Sequence, residues 1–161
     1  MKKPLLLLKI AVIAMCMALT VSMLGTSSQA VAASYTKQQK QVLSLVNKQR
    51  TKRKRSKLKL DPKLCKAANK RAKEIAKVLS HSRPDGSDCF TVLDEYKISY
   101  NTCGENIAAG QPSAKDVMSS WMDSPGHKAN ILDKSYKKLG VGYYKKKNST
   151  YVYYWVQIFT D

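Results

Sequence analysis

The chain has 161 residues, with 29 lysines and arginines against 11 aspartates and glutamates, and a formal net charge of +18. This length is typical of a single domain, and a 43% hydrophobic content with two Trp and nine Tyr excludes a wholly disordered basic protein. Four cysteines without zinc-finger spacing exclude a small disulfide-dense scaffold. The charge indicates an anionic partner without saying which one.

Residues 1–33 are predicted to be a secretory signal peptide. Lys2 and Lys3 precede an apolar stretch over residues 5–24, and small residues ending at Ala33 supply a cleavage site. An uncleaved anchor is the alternative, because residues 5–24 are long enough to span a bilayer. We expect residues 34–161 to form one secreted domain with no transmembrane segment after cleavage, extracellular and in part retained at the cell wall.

Three cysteines follow the predicted signal peptide, namely Cys65, Cys89 and Cys103. An exported chain can keep a disulfide, so one pair among the three is expected. The sequence does not choose among the three possible pairings. The remaining cysteine would be buried as a small apolar residue or free to pair with another chain.

Two long helices are predicted in the first half of this domain, over residues 36–50 and 61–80. Thr36 and Gln39 form a capping box for the first. Asp61 caps the second, whose apolar side continues to Leu79. Shorter helices are predicted over 90–97, from Ser113, and from Ser124 with Pro125 in the first turn.

The C-terminal part has a different pattern, since β-branched and aromatic residues predict strands over 139–144 and 151–159, joined by a polar turn. The second strand is nearly all apolar, which predicts burial on both faces. Helices early in the chain and strands late predict an α+β fold, with a sheet between helices.

A basic segment over residues 48–59 lies between the two long helices. It contains eight cations: Lys48, Arg50, Lys52, Arg53, Lys54, Arg55, Lys57 and Lys59. We expect them to bind an anionic cell-wall polymer, such as wall teichoic acid, or lipid headgroups. Nucleic acid is not expected as a physiological partner, because the chain is exported and aromatic residues do not alternate with the basic ones. The alternative is a solvated loop without a partner.

Several motifs occur in a recognisable order: the residues 81–86, 104–108, 121–127, 129–132, 139–142 and 154–159. Together they resemble the bacterial branch of the CAP superfamily, which comprises cysteine-rich secretory proteins, antigen 5 and pathogenesis-related proteins. The resemblance implies a three-layer α-β-α sandwich over residues 34–161, with a C-terminal β-hairpin in its central sheet. It also implies a groove in which His81, Glu105 and His127 lie together. A second groove glutamate of many eukaryotic members has no counterpart, since Ser124 follows Asp123 here.

These three residues, His81, Glu105 and His127, are candidate ligands of zinc or another divalent metal, because two imidazoles and a carboxylate can bind one and leave a position for water. A predicted place in the first turn of a helix favours the neutral, metal-binding form of His127. We expect a non-catalytic binding module, with a metal-dependent hydrolase that uses the same residues as the alternative. Purely structural roles for all three side chains stay open.

Overall fold

The structure, a computed structural model, describes residues 34–161, and the predicted signal peptide at 1–33 lies outside the described residues. The elements in chain order are α1 (Lys37–Thr51), β1 (Lys59–Leu60), α2 (Pro62–Ile75), α3 (Thr91–Glu95), β2 (Cys103–Ala109), α4 (Ala114–Asp123), α5 (Pro125–Leu132), β3 (Lys138–Lys145) and β4 (Tyr153–Thr160). Helices α1 and α2 begin with the predicted caps, since the side chains of Thr36 and Asp61 accept backbone hydrogen bonds there.

The four described strands form one sheet in the order β1-β3-β4-β2. Strands β3 and β4 form the predicted antiparallel hairpin, with Lys138 opposite Thr160 and Lys145 opposite Tyr153. Strand β2 is antiparallel to β4, and the short β1 is parallel to β3 at the other edge. Strand β4 is therefore internal, and its burial along nearly its whole length confirms the prediction from its apolar sequence.

Helices cover both faces of this sheet, which confirms the predicted α+β sandwich. Trp155 and Phe159 of β4 belong to a core with residues of α1 and α4, such as Val46 and Trp121. The alternating residues Tyr154, Val156 and Ile158 belong to a second core with α2 and α3. Because successive side chains of a strand point to opposite faces, one strand supplies both cores.

Helix α2 ends at Ile75, and the prediction that it continues to residue 80 is wrong. Val78 and Leu79 lie beyond its end and are 54% and 46% exposed, so Leu79 does not extend the apolar side. The chain turns back instead, and the Arg71 guanidinium donates a hydrogen bond of 2.9 Å to the carbonyl of Ser80. This return places residue 81 beside the helix.

The predicted disulfide is not formed within the described residues, where Cys65, Cys89 and Cys103 are all free thiols. Burial raises the pKa of Cys65 to about 11, and the thiol contacts the backbone of Val141. Burial and the neighbouring Glu105 carboxylate raise the pKa of Cys89 to about 12. These two cysteines are therefore small buried residues in separate environments.

Two glycines of β3 allow α2 to lie directly on the sheet. A Cβ at Gly140 would collide with the backbone of Leu64, and one at Gly142 with the backbone of Ala68. We expect Gly142→Ala to lower the free energy of unfolding by about 2 kcal/mol, because the helix must shift to accept the methyl group.

Urea denaturation measures this change, with Gly126→Ala as its control. Gly126 lies in α5 with open space around the added Cβ, so that variant should match or slightly exceed the parent stability. Equal stability of the two variants would contradict the close approach of α2 to β3.

Candidate functional site

Glu105 lies in the middle of β2, opposite Ile158 of β4, and its side chain is only 2% exposed. Both carboxylate oxygens accept hydrogen bonds from one guanidinium. Arg71 Nε donates to Oε2 at 2.9 Å, and Arg71 Nη2 donates to Oε1 at 3.3 Å. A buried carboxylate needs such a partner, because an unpaired charge in the interior is costly. The strand and α2 are thus joined by a bidentate ion pair.

Arg71 is itself fully buried on α2 and has further partners. Its Nη1 donates to Glu74 at 2.8 Å, and Glu74 also accepts from Arg83 Nη2 at 2.7 Å. Burial works to lower the pKa of Arg71, but the Glu105 and Glu74 carboxylates raise it on balance. This chain of ion pairs fastens the segment after α2, including Arg83, against the helix.

His81 belongs to that fastened segment and meets Glu105 from the solvent side. Its Nδ1 lies 2.8 Å from Glu105 Oε1, and its side chain is 56% exposed. The hydrogen bond to the carboxylate raises the pKa of His81, although partial burial opposes this. With Nδ1 turned to Glu105, the other ring nitrogen is left for a ligand or for water.

His127 is the third residue of α5, as the sequence predicts, and is half-buried. Burial lowers its pKa, and repulsion from His81 lowers it further. The position in the first turn of a helix predicts the same direction for the pKa of His127, and the causes found here are burial first and His81 second. The imidazole of His127 therefore favours the neutral form.

A buried amide cluster positions α5 against β2. Asn106 Nδ2 donates to the backbone carbonyl of His127 at 3.1 Å and to Gln157 Oε1 at 3.0 Å. Asn130 Nδ2 donates to Asn106 Oδ1 at 2.9 Å and to the Glu105 carbonyl at 3.2 Å. The backbone of both groove residues, Glu105 and His127, is thus held by side-chain amides.

Within the described residues, a group of three potential metal-ligand atoms within 4.8 Å of one another comes from His81, Cys89 and Glu105. His127 is not a member, so its role as a metal ligand remains a prediction. These distances would allow a metal ion, but the charges oppose one. Arg71 holds both oxygens of Glu105, and Cys89 is a protonated thiol near neutral pH. A dication bound to Glu105 would have to displace a buried guanidinium, so this group fits a metal poorly.

Sequence reasoning missed the roles of Arg71, Cys89 and Asn106. Arg71 could have been found from its spacing, because it lies seven residues after Leu64 and four before Ile75. A cation on the apolar side of a helix signals a buried ion pair. Cys89 and Asn106 carry no such signal.

Most cations of the basic segment are exposed, but Arg50, which was predicted to bind the anionic partner, is not. Arg50 is fully buried, and its guanidinium donates to the carbonyls of Ser56, Ile131 and Asp133 at 2.7–2.9 Å. Arg50 therefore joins α1 to the end of α5 and is not part of a binding surface. Arg55 is half-buried and donates to the Leu132 carbonyl at 3.2 Å. Six exposed cations remain, none of them in an ion pair with a described residue: Lys48, Lys52, Arg53, Lys54, Lys57 and Lys59.

The fold agrees with a comparison to known protein families. The model of the CAP family, described as the cysteine-rich secretory protein family, matches residues 43–159. The chain belongs to the CAP family. This establishes the fold and the ancestry, whereas members of one family can differ in activity.

Individual proteins are similar over most of the chain. The uncharacterized protein YkwD of Bacillus subtilis (strain 168) is 34% identical over 120 residues, which are 73% of this chain and 46% of YkwD. An extracellular SCP-domain protein of Bacillus anthracis str. Ames has a TM-score of 0.69 at 24% identity, covering 80% of this chain and 45% of that one. An outer surface protein of Borrelia burgdorferi has a TM-score of 0.68 at 23% identity, with coverages of 76% and 90%. The two structural matches show the fold alone, and the chain spans less than half of YkwD.

The helices of residues 34–161 were also compared with the dimensions of a bilayer. Within these residues, none combines the length and the apolar character that a membrane span requires.

The two histidines should titrate on opposite sides of the ordinary value of about 6.5. We expect His81 above it, because Glu105 stabilises the imidazolium, and His127 below it, because burial and His81 disfavour the charge. His81 therefore stabilises the folded state fully at acidic pH, and this contribution is lost as pH rises through its raised pKa.

Proton NMR titration of the ring signals measures both values, and Glu105→Gln should lower the His81 midpoint. A His127 midpoint above that of His81, or no response to Glu105→Gln, would contradict this arrangement.

Removal of the Arg71 guanidinium should destabilise the whole domain. We expect Arg71→Met to reduce the free energy of unfolding by about 3–5 kcal/mol, because the buried Glu105 carboxylate would keep only the more exposed His81 as a charged partner. Urea denaturation measures the loss. Arg53→Met, at an exposed arginine, is the control and should change stability by less than about 0.5 kcal/mol. Similar stabilities of the two variants would show that the ion pair is dispensable.

Proposed function

We propose that the protein is a secreted, non-catalytic CAP-domain module that binds the anionic polymer of a cell envelope through its basic segment. The observation that carries this proposal is the group of six exposed cations without acidic partners in the described chain. Cations that pair with no acid of their own protein remain available to a polyanion.

The number of charges is sufficient for reversible retention. A lysine or arginine near an anionic surface contributes about 1 kcal/mol at moderate salt. Six such contributions would give the protein a measurable affinity for the polymer and would still allow it to be released. Because exposed charges are screened within about 8 Å at physiological ionic strength, binding should weaken as salt is added.

An extracellular location is consistent with two features. The first 33 residues have the pattern of a secretory signal. Proteins of the same fold include one described as extracellular and one described as an outer surface protein. Both features support secretion of this chain, and retention at the cell wall would follow from the basic segment.

The groove supports weak metal binding better than catalysis. A carboxylate that accepts a hydrogen bond from one ring N–H of a histidine orients the other nitrogen toward a metal, so Glu105 would position His81. His127, in its neutral form, would be the second ligand of zinc or another divalent ion. A hydrolase with His81 and His127 as metal ligands would also need a separate base, and Glu105 is held by Arg71 and His81. Geometry therefore favours binding over the hydrolase alternative.

Retention on isolated, polymer-bearing cell walls tests the proposal. A six-site variant replaces Lys48, Lys52, Arg53, Lys54, Lys57 and Lys59 by Gln. We expect the parent protein to sediment with walls at low salt and to be released by high salt, and the six-site variant to stay in solution. A charge-matched control replaces six exposed lysines elsewhere, which also lack acidic partners within the described chain, and should be retained: Lys73, Lys77, Lys97, Lys115, Lys146 and Lys147.

Salt-independent retention, or equal loss in both six-site variants, would contradict the role of the basic segment. The same walls test the alternative function. Release of soluble wall fragments by the parent protein with zinc, but not by His127→Ala, would establish a hydrolase and overturn the non-catalytic assignment.

A further inference from the structure

A cavity of about 700 Å³ lies between α1 and the residues 57–60. We call it the lysine cleft, because Lys40 and Lys48 of α1 and Lys57 and Lys59 of the opposite wall line it. All four lysines are exposed. The cleft is separate from the residues that form the histidine groove, and it contains three of the six exposed cations of the basic segment.

The two walls of the lysine cleft are fixed to each other. Asn47 of α1 holds the opposite wall with both atoms of its amide, since Nδ2 donates to the Leu58 carbonyl at 3.0 Å and Oδ1 accepts from the Leu58 N–H at 2.8 Å. Tyr35 adds a hydrogen bond of 3.0 Å from its hydroxyl to the Leu60 carbonyl. Strand β1, which contains Leu60, is paired with β3. A preformed cleft binds its ligand without the cost of ordering the walls.

The charges of the lysine cleft lack compensation inside the protein. None of its four lysines forms an ion pair with a residue of the described chain. The nearby Asp61 carboxylate accepts the hydrogen bond of the Leu64 N–H as a helix cap. Like charges on two facing walls repel each other, and a ligand with several negative charges between them would relieve that repulsion.

We propose that the lysine cleft binds a short stretch of a polymer whose polyol units are linked by phosphodiesters. This inference rests on the proposed function and assigns the polymer to one place in the basic segment. A lysine ammonium is a compact point charge with three donors, and it can bind the single negative charge of a phosphodiester without a fixed orientation. Arg53 and Arg55 do not line the cleft, while Leu43 and Leu60 offer apolar surface to the carbon atoms of the chain.

A linear polymer fits this shape better than a membrane. A bilayer is broad and meets a protein on one face, whereas the four lysines lie on two walls of a recess. Proteins that bind membranes also insert large apolar side chains. The exposed large apolar side chains of the described residues are Val78, Leu79, Tyr100 and Tyr151, and none of them lines the cleft.

Two triple variants of equal net charge distinguish binding of the polymer inside the lysine cleft from its general attraction to a positively charged surface. The cleft variant replaces Lys48, Lys57 and Lys59 by Gln, and the turn variant replaces Lys52, Arg53 and Lys54 by Gln. Binding of purified poly(glycerol phosphate) at fixed salt is measured by isothermal titration calorimetry. We expect the cleft variant to lose at least tenfold in affinity and the turn variant to lose threefold or less.

A neutral variant tests binding inside the lysine cleft without a change in charge. Ser44 is exposed and lines the lysine cleft, so Ser44→Trp should fill part of the cavity. We expect at least a fivefold loss of affinity for the polymer, with an unchanged thermal denaturation midpoint. In the parent protein, the polymer should shift the amide signals of Leu58 and Leu60 more than those of the 52–54 turn.

The outcomes separate this inference from the proposed function. Equal losses in the two triple variants, with Ser44→Trp binding normally, would overturn binding inside the lysine cleft while leaving retention by the basic segment intact. Continued wall retention of the six-site variant would overturn the proposed function itself. Stronger binding to phosphatidylglycerol vesicles than to the polymer, lost in the cleft variant, would assign the cleft to a membrane and overturn the polymer.

Discussion

The buried ion pair between Arg71 and Glu105 is the constraint on which the groove depends. Two opposite charges lie in the interior, one on α2 and one on β2, and neither could be there alone. The guanidinium also binds the Ser80 carbonyl, so the same interaction brings the chain back after α2 and delivers His81 to the carboxylate. Helix, strand and loop are therefore positioned by a single side chain, whose planar fork reaches all of them at once.

This constraint also decides what the groove can do chemically. Glu105 raises the pKa of His81, while burial lowers the pKa of His127, so the pKa values of the two imidazoles shift in opposite directions. Such a difference is common in catalytic sites. Here, however, both carboxylate oxygens of Glu105 accept hydrogen bonds from Arg71. Glu105 therefore cannot serve as the free acid of an acid–base pair. The groove is a preorganised polar surface. Glu105 and burial account for the opposite pKa shifts of its two histidines, so these shifts are no evidence of catalysis.

Much of the fold could be predicted because its signals are local. Caps at Thr36 and Asp61 mark the starts of α1 and α2, and the apolar C-terminal run identifies the central strand. The predictions that were wrong concern residues whose structure depends on hydrogen bonds to residues elsewhere in the chain. The end of α2 is set by Arg71 and the Ser80 carbonyl, and the burial of Arg50 is set by carbonyls more than 80 residues away. In the groove, motif order indicated His81, Glu105 and His127, but the buried cation between helix and strand carries no motif.

The basic residues divide by chemistry between two tasks. Three of the five arginines, Arg50, Arg71 and Arg83, are buried, and each uses its fork to bind carbonyls or carboxylates of other elements. No lysine of residues 34–161 is buried, and a strongly hydrated ammonium is stable at the surface. These three arginines thus hold the interior together and contribute little to the charge at the surface, whereas Arg53 is exposed. The exposed positive charge of the described residues is therefore mostly lysine, and four of these lysines line the lysine cleft between α1 and residues 57–60. Because Arg50, Arg71 and Arg83 bind carbonyls and carboxylates in the interior, the domain keeps these stabilising interactions. Its lysines can then carry a large positive charge at the surface.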